Sequence, residues 1–558
     1  MEAAKNLSWQ QVAKAKQQAI FDKIPEKWRI HKPIPPAAVL RDVTGDYIQQ
    51  YLTSREIEIT EADAVSITQK TTAGLWSAVE VTEAFCHRAA IAHQLVNCLH
   101  EIFFDEAIAV ASALDKYFAE NKKPLGPLHG LPVSLKDQFH IKVVETTMGY
   151  VGWIGTFEGR KGDARARTFE SELVRELRNL GAVLFCKTSV PTTLMAGETA
   201  NNIIGYTWNP KNRNLSCGGS SGGEGALIAL RGSPVGFGTD IGGSIRVPAA
   251  FNGVFGLRPS TGRLPYEGTA NSMDGQNTIL SVVGPMATTA RSLKMIFKAI
   301  LEQSPWLHDP QVLELPWKSS TESQVEALVN TDPSALVFAI MRDDRVVQPH
   351  PPVRRALFLV EGMLKRRGHQ ILDWRPPSHK ACHELSRQAF HMDGREDVFA
   401  HLGLSGEEQP PQCFIKKGEH MNARQIAALN VQKRNYQKSY LDYWNSTSKL
   451  TKTGRPVDAI ICPTAPHAAV IPGRFSHVGY TSFLNVLDYS SVVIPIMHAD
   501  KQVDKPQTPS RFYSEEDMKV QAEYDPALYD GAPVGIQLIG RRLEEEKVLT
   551  LAEYFSRA

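Results

Sequence analysis

The chain has 558 residues, 42% hydrophobic and 22% charged, a globular balance that excludes a disordered or fibrous protein. Its 62 Lys and Arg against 60 Asp and Glu leave a net charge of +2, and no basic run is long enough to hold nucleic acid or an anionic membrane. That length suits a large single-domain enzyme or two to three domains, and the charge balance points to one acting on a small molecule. The cysteines (Cys86, Cys98, Cys186, Cys217, Cys382, Cys413, Cys462) are odd in number and form no CxxC pair. This argues against a disulfide framework or a zinc ribbon and for a reducing compartment.

In chain order, residues 1–60 read as a helical lead-in with Pro-rich turns. The opening MEAAKNLSWQQVAKAKQQAIF lacks the apolar core of a signal peptide, and Ser556-Arg557-Ala558 lacks the final Leu of a peroxisomal address. No stretch reaches the roughly 18 apolar residues of a membrane span, so a cytoplasmic protein is expected. Apolar residues at helical spacing over 75–95, opened by a capping box at Ser77-Ala-Val-Glu80, predict a helix. A strand at 98–104, a helix at 105–121, a strand at 133–136, a helix at 167–180 and a buried strand at 182–187 follow. Strands alternating with helices predict an α/β layered core.

Residues 218–262 hold 13 glycines in 45 positions, against 40 in the whole chain. Such density is tolerated where a backbone takes unusual dihedrals or approaches a ligand closely. Interspersed Val235, Phe237, Ile241 and Ile245 predict that this segment is packed and not a linker. Residues 305–420, with Pro and charge clusters around β-α-β-like pieces, read as a more variable region capping the site. Strand-like runs return at 458–462, 491–497 and 535–539, before a helix from Glu544.

Three features carry chemistry: Gly218-Gly-Ser-Ser-Gly-Gly223, Gly238-Thr-Asp-Ile-Gly-Gly-Ser-Ile-Arg246, and Lys136 on its strand. The amides of Ile241 through Ser244 can turn into one concavity, a nest suited to an oxyanion, with Ser244 placed to attack. A serine needs a base, and several histidines keep a Ser-His-Asp triad open. Two overlapping GxSxG matches at 218–223 also fit a nucleophile elbow, although the residues before them read as loop and not as the required strand. Neither glycine run is followed by the Lys-Ser/Thr of a phosphate loop. Cys217 reads as structural, and the 17 histidines, without HExxH spacing, as mostly surface or hydrogen-bonded.

Taken together, these segments resemble the amidase signature family, in appearance nearest its fungal acetamidase branch. The resemblance rests on GGSSGG followed 24 residues later, serine to serine, by Gly238-Thr-Asp-Ile-Gly-Gly-Ser-Ile-Arg-Val-Pro248, on GPLHGLPVSLKD (126–137) and on GAPVGIQLIGRRLEEEKVL (531–549). It implies an α/β/α sandwich, a large mixed sheet covered by helices on both faces, with 61–558 a single catalytic domain. It also implies a Ser–cis-Ser–Lys triad: Ser244 as nucleophile, Ser220 as bridging serine after a cis peptide, and Lys136 as base. Ser220 and the amides of Ile241, Gly242, Gly243 and Ser244 would bind substrate and oxyanion, with Ser221, Thr239, Asp240 and Arg246 as braces. The implied reaction is cleavage of small carboxylic amides to carboxylate and ammonia, without metal or other cofactor. The alternatives are the glutaminase subunit of an amidotransferase and a biosynthetic hydrolase with a specialised substrate. The expected partner is a small-molecule amide; a homodimer is left open.

Overall fold

The computed structural model describes residues 7–413, 415–507 and 509–557. The first six residues of the expected lead-in and the final Ala558 lie outside them.

Among the described residues the strands are, in chain order, β1 (Leu99–Ile102), β2 (Pro132–Lys136), β3 (Val183–Thr188), β4 (Ala200–Asn201), β5 (Gly205–Tyr206), β6 (Val235–Asp240), β7 (Phe255–Arg258), β8 (Val282–Ala287), β9 (Val337–Ile340), β10 (Gln370–Asp373), β11 (Ala459–Pro463), β12 (Ser491–His498) and β13 (Pro533–Ile539). All but β4 and β5 join one 11-stranded sheet, ordered β1-β3-β2-β6-β8-β7-β12-β13-β11-β9-β10. β2 runs parallel to β3 and β6, and β9 to β10 and β11. The other neighbours are antiparallel, so the sheet is mixed. Every residue of β2, β3 and β6 is buried, which requires cover on both faces, and helices supply it. The result is the expected α/β sandwich. Burying a large apolar side chain such as Leu135 or Phe237 contributes roughly 1.5–3 kcal/mol.

The helix Ala78–Val96 forms where the apolar spacing predicted it. Ser77 Oγ accepts the Glu80 N–H at 3.1 Å, but the return half of the box is lost because Arg55 takes the Glu80 carboxylate at 2.8 and 3.0 Å. In the lead-in, Ile20, Ile24, Trp28 and Val43 are buried in the same core as the sheet. The stretch 305–420 is only partly peripheral: β9 and β10 join the sheet edge, while the helix His379–Ala389 leaves it. Among the described residues, no helix is long and apolar enough to cross a membrane.

What positions the site is the pairing of β2 with β6. Ser134 lies opposite Gly236 and Leu135 opposite Phe237, so the two parallel strands run out at the same end of the sheet. Lys136 closes β2 and Asp240 closes β6. Carboxyl ends of parallel strands are where such sheets present chemistry to the loops beyond.

Candidate active site

Lys136 is completely buried, and its Nζ donates to Ser220 Oγ at 2.7 Å and to Thr239 Oγ1 at 2.8 Å. Burial draws its pKa down to about 7, with Asp240 and Glu224 pulling the other way. Thr239 Oγ1 in turn donates to Gln138 Oε1 at 2.7 Å, and the Gln138 amide is oriented by Tyr266 and Asn271 at 3.1 and 3.0 Å. The Gly219–Ser220 peptide is cis. Gly222–Ala229 then starts a helix, and its Glu224 turns back under the sheet to accept from Ser134 and, at 2.6 Å, from Thr188. Burial raises the Glu224 carboxyl to about 7. Position 236 must be glycine here, because a Cβ would run into the Glu224 carboxylate.

The second glycine loop follows β6. Gly243 has φ +136 and a Cβ there would strike Thr481, so only glycine fits. Asp240 organises the loop, accepting from the Gly243 N–H at 2.9 Å, the Ile245 N–H at 3.2 Å and the Arg246 guanidinium at 2.9 and 3.0 Å. Arg246, Asp240 and Asn485 are all buried, and the arginine continues to Thr481 O and Gln537 Oε1 at 2.9 and 3.2 Å. Despite burial, Arg246 holds the Asp240 carboxyl well below the usual range. Replacing Arg246 with Met strands a buried carboxylate, and the expected cost is about 3–5 kcal/mol of folding stability. A lowered urea midpoint measures it; an unchanged midpoint contradicts the brace.

The structure brings most of the expected residues together, with two departures. The Gly243 N–H, expected in the oxyanion nest, is turned to Asp240, so the amides of Ile241, Gly242 and Ser244 are those without an acceptor among the described residues. Ser244 Oγ makes no hydrogen bond to Ser220 Oγ; the two loops are tied by the Ser221 N–H donating to Ser244 O at 3.1 Å. Ser221 also contacts the Thr239 backbone at 3.4–3.5 Å.

Ser244 is half-buried at the wall of a cavity of about 200 Å³. Leu194, Met195, Phe475 and Val478 give it an apolar lining, and His383, Arg387, Phe390 and Arg395 close it from the middle region. Cys217 is buried with its thiol pushed far up by desolvation, too neutral to react. The histidines are more often buried than at the surface, and neither ring nitrogen of His379 is bonded. No histidine bonds a hydroxyl of Ser220 or Ser244 among the described residues, whereas Lys136 donates directly to Ser220. His350, His467 and Glu523 offer metal-ligand atoms within 4.8 Å of one another, but none lines this cavity.

The fold and this site define a class. The chain matches the Amidase family over residues 80–549 and belongs to it, the amidase signature family; it is an amidase. It is 45% identical to an acetamidase of Aspergillus oryzae over 98% of both chains, and 44% identical to an acetamidase of Emericella nidulans over 98% of this chain and 97% of that one. Its structure is similar to that of a fatty acid amide hydrolase, with a TM-score of 0.89 and 34% identity over 98% of this chain and 94% of that one.

Proposed function

We propose that this enzyme hydrolyses the C–N bond of short primary carboxylic amides through an acyl-enzyme on Ser244. One observation carries the reading: a buried lysine with its pKa near neutrality, hydrogen-bonded to Ser220 beside a half-buried serine. Ser244 Oγ attacks the carbonyl carbon while its proton passes through Ser220 to neutral Lys136. The two hydroxyls are not bonded to each other in the free enzyme, and the relay requires that they come into hydrogen bond when substrate binds. The amides of Ile241, Gly242 and Ser244 receive the oxyanion, each worth about 3–4 kcal/mol of barrier. The tetrahedral intermediate breaks its C–N bond as the proton returns to nitrogen, and ammonia leaves. Water, deprotonated by the same relay, then releases the carboxylate and restores Ser244. The small apolar cavity and the resemblance to acetamidases support a short acyl chain, with residues 383–395 of the middle region as its cap. Seven unpaired, buried cysteines support a reducing, cytoplasmic location.

Ammonia release from acetamide, hexanamide, phenylacetamide, indole-acetamide and glutamine, by the chain alone, tests the reading. Turnover of a short non-glutamine amide is expected. Turnover of glutamine alone, with no turnover of a carboxylate-bearing amide that lacks the α-amino group, points instead to an amidotransferase subunit, and turnover of none overturns the reading.

The pH dependence follows from the lysine. Only the neutral amine accepts a proton, so kcat/KM rises about tenfold per unit below the Lys136 pKa of about 7 and levels off above it. Because Glu224 titrates nearby and lies close in charge, the midpoint belongs to the pair. A rate that falls with rising pH over 6–8 contradicts a lysine base.

A further inference from the structure

Five arginines are buried among the described residues, and four have a carboxylate beside them. Arg88 pairs with Glu61 at 2.8 Å, and Arg246 with Asp240, Arg258 with Asp488 and Arg263 with Glu546, each at 2.9 Å. The fifth, Arg395, is 8% exposed and has no ion-pair partner among the described residues. Its neighbour Asp393 accepts the backbone N–H of Arg395 at 2.9 Å, not the guanidinium. The field of Asp393 only partly offsets this burial, and a buried cation without a direct ion pair is expensive, so its place in the fold asks for an explanation.

The guanidinium is held in position by a neutral histidine. His391 Nδ1 donates to Arg387 O at 2.6 Å, which leaves Nε2 as an acceptor for Arg395 Nη2 at 2.5 Å. Burial and the two nearby arginines lower the His391 pKa, which favours the neutral ring. Nε and Nη1 of Arg395 have no protein acceptor among the described residues. Arg395 lines the same cavity as Ser244, and no Asp or Glu lines that cavity.

We propose that Arg395 binds a carboxylate at the far end of the substrate, so that the preferred substrates are monoamides of short dicarboxylic acids. The apolar walls take the methylene chain, and the substrate's carboxylate supplies the direct ion-pair partner that Asp393, turned to the backbone, does not. A guanidinium suits this role because it meets a carboxylate with two parallel N–H donors. The proposal rests on the amidase reading and narrows its substrate class.

Adipamate and hexanamide, equal in chain length and differing in the terminal carboxylate, test it. The wild-type enzyme is expected to favour adipamate by about 30-fold in kcat/KM, mostly through KM, the size expected of a buried charge-assisted hydrogen-bond pair. In Arg395→Gln that ratio falls to near one, and in Arg395→Lys, which keeps the charge but loses the fork, it is intermediate. A wild-type ratio near one, or the same ratio in wild type and Arg395→Gln, overturns the proposal. Should Arg395→Gln not fold, a ratio in Arg395→Lys equal to that of wild type overturns it. If the wild type hydrolyses neither amide, the short-amide reading fails, and calorimetric binding then decides the arginine: adipamate about tenfold tighter than hexanamide supports it, and equal or absent binding overturns it.

Discussion

Ser244→Ala is expected to lower amide turnover by at least about 10⁴-fold while leaving the fold intact, because removing a sole nucleophile leaves only binding and oxyanion stabilisation. The fold should tolerate it, since Ser244 Oγ has no hydrogen-bond partner among the described residues and the Ser221–Ser244 tie is made by backbone atoms that alanine keeps. Ammonia release and thermal melting on the same sample separate the two effects. Near-normal turnover in a folded variant removes Ser244 from its role.

Lys136→Ala is expected to cost about 10³-fold or more at neutral pH, within the range of general-base losses combined with a lost orientation of the relay. The side chain donates to both Ser220 and Thr239, so its removal also frees the Ser220 hydroxyl to rotate. Lys136→Arg discriminates between two uses of that amine. Arginine keeps a cation and its donors but does not deprotonate, so it should be as inactive as alanine if Lys136 accepts a proton. Activity retained in the arginine variant would make the residue a fixed charge instead. The pH profile moves with it: the rise through about 7 expected of the wild type is lost in both variants.

Much of this arrangement was legible because its signals are local. Strand burial over 132–136 and 183–188, the cap at Ser77 and the paired glycine loops each declare themselves within a few residues. The nest was read from glycine content alone, which cannot tell which amides face inward; Asp240, three residues before Gly243, claims that N–H. Glu224 was hidden inside a glycine-rich run that reads as backbone, although it is a buried acid bonded to Ser134 of the lysine's own strand. The partners of Arg246 lie at Thr481, Asn485 and Gln537, more than 230 residues away, where no spacing rule reaches.

The longest helix, Ala423–Ser446, escaped for a different reason. It buries only Leu429, Tyr440 and Trp444, so its apolar stripe is faint, and the signal that marks it is the capping box of Asn422 and Gln425. The cavity wall came from the irregular middle region, where Phe390 and Arg395 follow a short helix and carry no motif. Arg395 could be recognised only from the partners it lacks.

The claim that most needs a direct test is that Ser244 is the attacking group, activated by Lys136. Treating the purified protein with a fluorophosphonate and mapping the modified peptide by mass spectrometry addresses it in one step. Modification of Ser244, abolished in Lys136→Ala, is the result this account predicts; modification of Ser220, Ser221 or Cys217, or none at all, contradicts it.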